Sequence, residues 1–395
     1  MFKRSYRKNI GLMAGVEFFA FLGITSFWFL FLSQNGMSLW QIGLLESIFH
    51  ATSVICEIPS GMLADRFSYK TNLYLSRIAG IVSSVLMLAG QGNFWVYALA
   101  MVISAWSYNF DSGTSAAMVY DSSLEAGLTE RYLSISRFMS GVAEATRSLG
   151  TVWAGFFVHG QLHLTYYIMI GTSIVVLFLT WMLKEPSVKA EKAERLTMKK
   201  IIWAVKEELQ RNPSLFIWMI LSQIIGTLMC MFYFYYQNQL PDLKDWQISL
   251  VMLIGSALNI LAVYLASVIG KRYSALKLFP SVVLLTGASY LLSYFGTPII
   301  YIVIYLISNA LYALFQPIFD NDLQKQLPSE VRATMLSVYS MMFSLSMIVI
   351  FPVTGWLIDH FGFNWTFIAL GSFLFAVTPF LHLGLKKISQ NLQEV

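Results

Sequence analysis

Long runs of apolar residues, broken by short polar segments, organise this chain, and each run is long enough for a helix. They fall near 9–33, 38–63, 73–91, 94–121, 133–158 and 163–183. After a polar stretch six more follow, near 214–238, 247–270, 277–296, 298–320, 333–357 and 364–384. About 20 apolar residues in helical form cross the hydrocarbon of a bilayer. Lipid admits only helices or closed barrels, because no water is there to satisfy a bare backbone. The runs are too continuous for the ten-residue alternating strands of a barrel. The pattern therefore predicts an all-α membrane protein of twelve transmembrane helices. Lys3, Arg4, Arg7 and Lys8 precede the first run, which is full length and has no small-residue cleavage site after it. It is expected to stay as an uncleaved first helix.

Composition agrees. Of 395 residues, 57% are hydrophobic and 12% charged, whereas a soluble domain needs about a quarter charged to cover its surface. Charge also sets an orientation. With both termini cytoplasmic, the inner loops hold Arg66, Lys70, Arg131, Lys271, Arg272, Lys277, Lys325 and Arg332, and Lys386 and Lys387 close the set. The outer loops hold one basic residue, Lys244, between Asp242 and Asp245. This is the positive-inside pattern, and a miscounted helix would scramble it. The net charge of +5 thus belongs to the cytoplasmic face of an inner or plasma membrane, and no nucleic-acid partner is expected. Cys56 and Cys230 lie in apolar runs, and neither they nor the five histidines show metal-ligand spacing. No metal, cofactor or catalytic residue is expected; the expected partners are the bilayer, protons and a small-molecule substrate, with the chain a monomer.

Residues 184–212 are rich in both charge signs and divide the chain into a bundle over 1–183 and a bundle over 213–395. Within this linker, Met198 to Leu209 spaces Ile201, Ile202, Trp203, Val205 and Leu209 so that an amphipathic helix on the inner surface and a solvated charged linker both fit. The halves correspond at an offset near 200. Tyr120-Asp121 parallels Phe319-Asp320, Glu130 parallels Glu330, Leu133-Ser134 parallels Leu336-Ser337, and Gly155 parallels Gly355. Two six-helix pseudo-repeats with a substrate site between them form a transporter architecture.

Between the second and third runs stands Gly61-Met62-Leu63-Ala64-Asp65-Arg66-Phe67-Ser68-Tyr69-Lys70. Through Gly61, Asp65, Arg66 and Lys70 it resembles the signature loop of the major facilitator superfamily. Ser68 and Tyr69 stand where that loop usually has Gly and a basic residue. The matching loop of the second half, Gly270-Lys271-Arg272-Tyr273-Ser274, lacks the Asp. Glu330 to Ser337 and Gly355-Trp356-Leu357-Ile358-Asp359 are similar to the same family's later helices. The resemblance implies the major facilitator fold and transport by alternating access. The physics of the loop points to a cytoplasmic latch. Gly61 allows close helix approach, Asp65 can meet a helix N-terminus, and Arg66 and Lys70 can pair with Asp121, Glu125 or Glu130. Glu57, just before Pro59, is assigned to the same latch.

Charges inside spans are costly, about 3 kcal/mol or more each, and mark function by default. Glu17, Glu46, Glu57, Asp111, Glu144 and Arg147 all lie in the first half, while the second offers mainly Gln223, Asn259, Asn309 and Gln316. The first half is therefore expected to handle protons and the second to shape the cavity. Glu144 and Arg147, three apart, share a helix face and read equally as a structural pair or a protonation switch. Asp111 has no opposite charge within a turn of its own helix, and Glu17 sits between Val16 and Phe18. Glu17, Asp111, Glu144 and Arg147 are the expected coupling and substrate residues.

The seventh run ends Phe232-Tyr233-Phe234-Tyr235-Tyr236, which reads first as an aromatic belt at the outer membrane level and second as a pocket wall. No phosphate-binding Gly-rich loop, nucleophile elbow or zinc motif is present, so no enzyme is expected. The resulting expectation is a secondary transporter, first a proton-coupled exporter of drugs or amphiphiles. The antiporter helix-five signature is degenerate here, because Ser148 to Gly155 has spaced glycines and no Pro. A proton-coupled importer of a nutrient or organic anion, with Arg147 as the anion's partner, is the alternative, and a non-transporting membrane sensor the third reading.

Overall fold

The computed structural model describes residues 5–22, 24–187, 206–207, 209–240, 242–327 and 332–393, and the side chains among them except at 58–66, 333–334 and 391–393. All the regular structure among the described residues is helical, with no strand. In the first half the helices are α1 (Tyr6–Ala20), α2 (Trp28–Gln34), α3 (Leu39–Arg66), α4 (Tyr69–Ala89), α5 (Phe94–Asp111), α6 (Thr114–Glu125), α7 (Tyr132–Ala154) and α8 (His163–Met182). The second half has α9 (Pro213–Tyr235), α10 (Asp245–Ile269), α11 (Ala275–Leu291), α12 (Pro298–Gln326), α13 (Arg332–Phe361) and α14 (Phe363–Gln393). Local chemistry sets several starts. Ser68 caps α4 by accepting from the Thr71 N–H, Asn93 caps α5, and Asn212 caps α9 just before Pro213, each satisfying a donor the helix leaves bare.

Nine helices among the described residues are long and apolar enough to cross a membrane. The other three expected spans differ from uninterrupted apolar helices in a telling way. The run at 9–33 is two helices, α1 and α2, with Phe21 to Phe27 between them. The run at 94–121 is α5 and α6, interrupted at Ser112-Gly113. The run at 133–158 is α7, whose polar residues include Arg137, Glu144 and Arg147. Gly113 has φ +78°, a left-handed conformation that glycine adopts without steric cost, and this lets the chain stop one helix and start the next inside the span.

Two compact units result. The first comprises Met1–Met37, Ile48–Arg195 and Asp245–Met252; the second comprises Ser38–Ser47, Leu196–Lys244 and Leu253–Val395. The opening turns of α3 thus group with the second unit and those of α10 with the first.

In the first unit α4 and α5 lock through reciprocal bonds, Ser76 Oγ to the Ser107 carbonyl at 2.9 Å and Ser107 Oγ to the Ser76 carbonyl at 2.8 Å. Met13, Val16, Leu73, Met118, Val119, Met139 and Val176 fill the interior beside them. Gly155, at the end of α7, rests against Ser249 of α10, and Asp245 at the start of α10 accepts from the His159 N–H and lies 2.6 Å from the His159 ring Nδ1. The second unit repeats this arrangement. Gly355 of α13 lies against the backbone of Leu39 and Trp40 at the start of α3, and Asp359 accepts from the Leu39 and Trp40 N–H groups at 3.2 and 2.8 Å. The correspondence of Gly155 with Gly355 is therefore one of position in the fold, each being a glycine where a neighbouring backbone leaves no room for a side chain.

The aromatic run corrects an expectation. Phe232, Tyr235 and Tyr236 are fully buried, not set in a membrane-facing belt. Phe232 packs on Tyr290, Phe363 and Phe367, Tyr235 on Phe351, and Tyr236 stacks on Tyr305 with centroids 4.4 Å apart. Tyr235 and Tyr290 each give their hydroxyl to a backbone carbonyl, which is how a buried phenol offsets its desolvation. These rings form a closed core; five successive residues cover every side of a helix, and the inward sides prevail.

Candidate functional site

The two broken spans meet at a cavity of about 750 Å³ in the first unit, within the size range of small-molecule sites. Its lining comes from the helix breaks: Glu17 from the end of α1 and Phe21 just after it, Tyr108 and Asp111 from the end of α5, Ser112 and Gly113 between helices, and Ser115 from the first turn of α6. α3 adds Phe49, α4 adds Arg77, and α7 adds Tyr132, Ser136, Ser140, Glu144 and Arg147. All four residues expected to couple and bind, Glu17, Asp111, Glu144 and Arg147, line this one cavity. The composition of the wall, five ionisable groups among hydroxyls with a few rings, suits a polar or charged solute.

Arg77 is the residue that sequence reading missed. It stands in α4 between Ser76 and Ile78, is only 7% exposed, and its Nη2 donates to Asp111 Oδ2 at 2.9 Å. The other carboxylate oxygen of Asp111 accepts from Ser115 Oγ, also at 2.9 Å. The expectation that Asp111 lacks an opposite charge held only along its own helix; across the α4–α5 contact it has one. A buried pair of this kind is costly to break, because the survivor is left as an uncompensated charge. The signal was in the sequence: an arginine amid Leu75, Ile78, Ala79 and Ile81 is an intramembrane charge like the others.

Glu17 differs. It is 9% exposed, faces the cavity, and has neither a hydrogen-bond nor an ion-pair partner among the described residues. A carboxylate so placed is open to a donor from solvent or substrate. Glu144 and Arg147 pair at 3.3 Å, with side chains 61% and 54% exposed. Such an open pair contributes little to the fold, roughly 0–1 kcal/mol, so structure alone does not account for these charges. The guanidinium of Arg147 also sits 5.7 Å from the Phe21 ring centroid, within cation–π range.

The expected latch lies at the opposite end of the first unit's helices from the His159 end. Gly61, Asp65 and Arg66 are in α3, but their side chains fall outside the described residues, as does most of Met198 to Leu209. Glu57 is exposed on α3. Lys70, expected to pair with Asp121, Glu125 or Glu130, donates its Nζ to the Trp181 and Leu183 carbonyls at 3.1 and 2.8 Å, where the C-terminus of α8 presents bare acceptors and the negative end of its dipole. Asp121, 1% exposed, accepts from the Tyr69 hydroxyl at 2.8 Å. Glu185, which sequence reading passed over in the linker, accepts from the Tyr69 and Lys70 N–H groups at the start of α4. Asp322 meets the Ala275 N–H at the start of α11 in the same manner, at 2.8 Å.

The family model described as Major Facilitator Superfamily matches residues 12–350 and 247–388. No curated protein matches the chain. Among solved structures, the nucleoside transporter NupG is similar over 97% of this chain and 98% of its own, with 14% identity and a TM-score of 0.75. A POT family transporter in complex with 5-aminolevulinic acid is similar over 96% of each chain, at 16% identity and a TM-score of 0.73. A D-xylose-proton symporter is similar over 95% of this chain and 96% of its own, at 14% identity and a TM-score of 0.67.

Proposed function

The chain belongs to the Major Facilitator Superfamily, and on that premise we propose that it is a proton-coupled secondary transporter of a small polar or charged solute, working by alternating access. It is a multi-pass membrane transporter and not an enzyme. The observation that carries the coupling is Glu17: a carboxylate buried at the end of a broken helix, facing a cavity and without a hydrogen-bond or ion-pair partner among the described residues. Transport begins when Glu17 takes a proton, which removes the one charge the cavity leaves uncompensated; solute then joins Arg147 and the hydroxyls of α5 and α7. The protonated, loaded cavity reopens on the other side and releases both. Arg77 and Asp111 hold the break between α5 and α6 in place, and the Glu144–Arg147 pair opens to admit the solute.

Symport stands ahead of drug efflux. An exporter of amphiphiles was expected from Met and aromatic walls, but the aromatic run is packed into a closed core. The cavity is lined with hydroxyls and charges. Solved relatives of the fold include a D-xylose-proton symporter, which supports the same direction. The cytoplasmic placing of both termini, the inner or plasma membrane location, the monomer and the latch at Gly61, Asp65, Arg66, Lys70, Glu57 and Asp121 belong to this proposal too.

Purified protein in liposomes holding a pH-sensitive dye tests it. Solute-dependent proton entry is expected from wild type, with at least a tenfold loss of coupled uptake in Glu17→Gln and retained solute exchange at equal pH. Full coupled transport by Glu17→Gln would remove Glu17 from the proton path.

A further inference from the structure

Another cavity, of about 530 Å³, lies in the second unit between α11 and α14. The two helices meet backbone to backbone at Gly287 and Gly371. From that contact they run side by side toward the end that carries Lys277 and Lys386, and the cavity occupies this stretch. Pro280, Ser281 and Leu284 line it from α11, and Phe375, Pro379 and His382 face them from α14. Both prolines are interior to their helices. A mid-helix proline gives up one backbone bond and crowds the preceding turn, and helices bend at such points. Phe375, Pro379, His382 and Leu383 are exposed, so the space is a groove open sideways to lipid.

The depth of this groove is that of one leaflet. At 1.5 Å per residue, Lys277 stands about 15 Å along α11 from Gly287, and His382 about 16 Å along α14 from Gly371. The hydrocarbon core of a bilayer is about 30 Å thick. An acyl chain entering at the lysine end therefore reaches the bilayer centre where the glycine contact closes the groove. The wall is graded in the same direction: Leu284 and Phe375 lie toward the closed end, and Ser281 and His382 toward the mouth. Thr378, also in the wall, has given its hydroxyl to the Leu374 carbonyl.

The mouth is cationic. Lys277 precedes Ser281 by four residues and Lys386 follows His382 by four, so helical spacing puts each lysine on the face that lines the groove. Both, with the neighbouring Lys387, are exposed, and none of the three has an ion-pair partner among the described residues. The acids at this end are already engaged. Asp322 accepts from the Ala275 N–H and lies 3.9 Å from Lys325, and Asp320 accepts from Gln316. Basic clusters at the membrane surface attract anionic lipid, and basic pockets between transmembrane helices hold its headgroups.

We infer that α11 and α14 hold one anionic phospholipid. One acyl chain lies in the groove against Leu284 and Phe375, Ser281 and His382 meet the glycerol ester region, and Lys277 and Lys386 pair with the phosphate. A zwitterionic headgroup would bring its own cation against Lys386 and Lys387, so a net negative headgroup is selected. With this end cytoplasmic, as proposed above, the lipid belongs to the inner leaflet. The site is independent of which solute the first unit's cavity carries.

Purified full-length protein is titrated with dioleoyl phosphatidylglycerol and dioleoyl phosphatidylcholine, which share their chains, and lipid-bound species are counted by native mass spectrometry. Phosphatidylglycerol should bind about tenfold more tightly. Replacing Lys277→Gln and Lys386→Gln together should remove most of that preference, at about fivefold for each cation lost from the membrane surface. Lys271→Gln, exposed at the same end but outside the two groove helices, should leave it unchanged. Ser281→Phe, which fills the groove from an exposed position, should weaken both lipids about fivefold. On wild type, phosphatidylglycerol with a diazirine in its acyl chain should cross-link to peptides containing Leu284, Phe375 or Leu383. Should a variant fail to fold, the wild-type lipid comparison and the cross-link decide alone. Equal binding of the two lipids by wild type, or an equal loss in Lys271→Gln and in the double variant, would overturn the headgroup site. Cross-links spread over the other helices would overturn the groove.

Discussion

Removing either member of the Arg77–Asp111 pair strands a full charge in the interior of the first unit, where the pair is 8% and 15% exposed. Asp111→Ala should therefore cost roughly 3–5 kcal/mol, and the double replacement Arg77→Leu with Asp111→Leu should recover most of it. Thermal unfolding in detergent reads both, and equal losses in single and double variants would show that the pair is not coupled. Arg147→Gln, at an exposed pair, should shift stability by less than about 1 kcal/mol while it impairs transport. Glu17, Asp111, Glu144 and Arg147 were legible because a charge in an apolar run has few structural uses. Their partners were not. Asp111 finds Arg77 from 34 positions away, a relation that helical spacing cannot show, and so a stabilised carboxylate read as an unpaired one.

Helices carry a different kind of information. Nine of the described helices have the length and apolarity of a span, but the break in α1–α2 hides in sequence because Phe21, Leu22, Ile24 and Phe27 are themselves apolar. Asp111-Ser112-Gly113 is made of turn-forming residues, yet the apolar run around it reads as one span. Close helix contact was legible as glycine without its address. Gly287 of α11 and Gly371 of α14 touch backbone to backbone, and a Cβ on Gly287 would lie 3.0 Å from the Gly371 carbonyl oxygen. Gly287→Leu should thus destabilise by about 1–3 kcal/mol through overpacking. Gly141, in the middle of α7 with nothing within 4 Å, is the control: Gly141→Ala should be neutral or stabilise by about 0.5–1 kcal/mol. Unfolding midpoints of the two variants check this, and similar losses at both sites would mean that crowding is not what Gly287 relieves.

At the scale of the whole chain, the distribution of charge predicts which way the chain faces. Arg131, Lys271, Arg272, Lys277, Lys325, Lys386 and Lys387 occupy alternate connections and the C-terminus, whereas Lys244 stands with Asp242 and Asp245 on the other set. Basic residues near span ends resist translocation, whereas acids contribute little, so the two sets cannot be exchanged by a change at Asp242 or Asp245. Leu243, in the connection between α9 and α10, should be outside, and Ser274, between α10 and α11, inside. In a background with Cys56 and Cys230 replaced, Leu243→Cys should react in intact cells with a membrane-impermeant maleimide, and Ser274→Cys only after lysis. Alternation is what gives this test its force. A single span lost or gained in the first half would invert every later connection, so labelling of Ser274→Cys from outside would overturn the orientation, and labelling of both from one side would overturn the span between them. The described helix α10, 25 residues long and apolar, is that span, and it is long enough to separate the two positions by a full bilayer thickness.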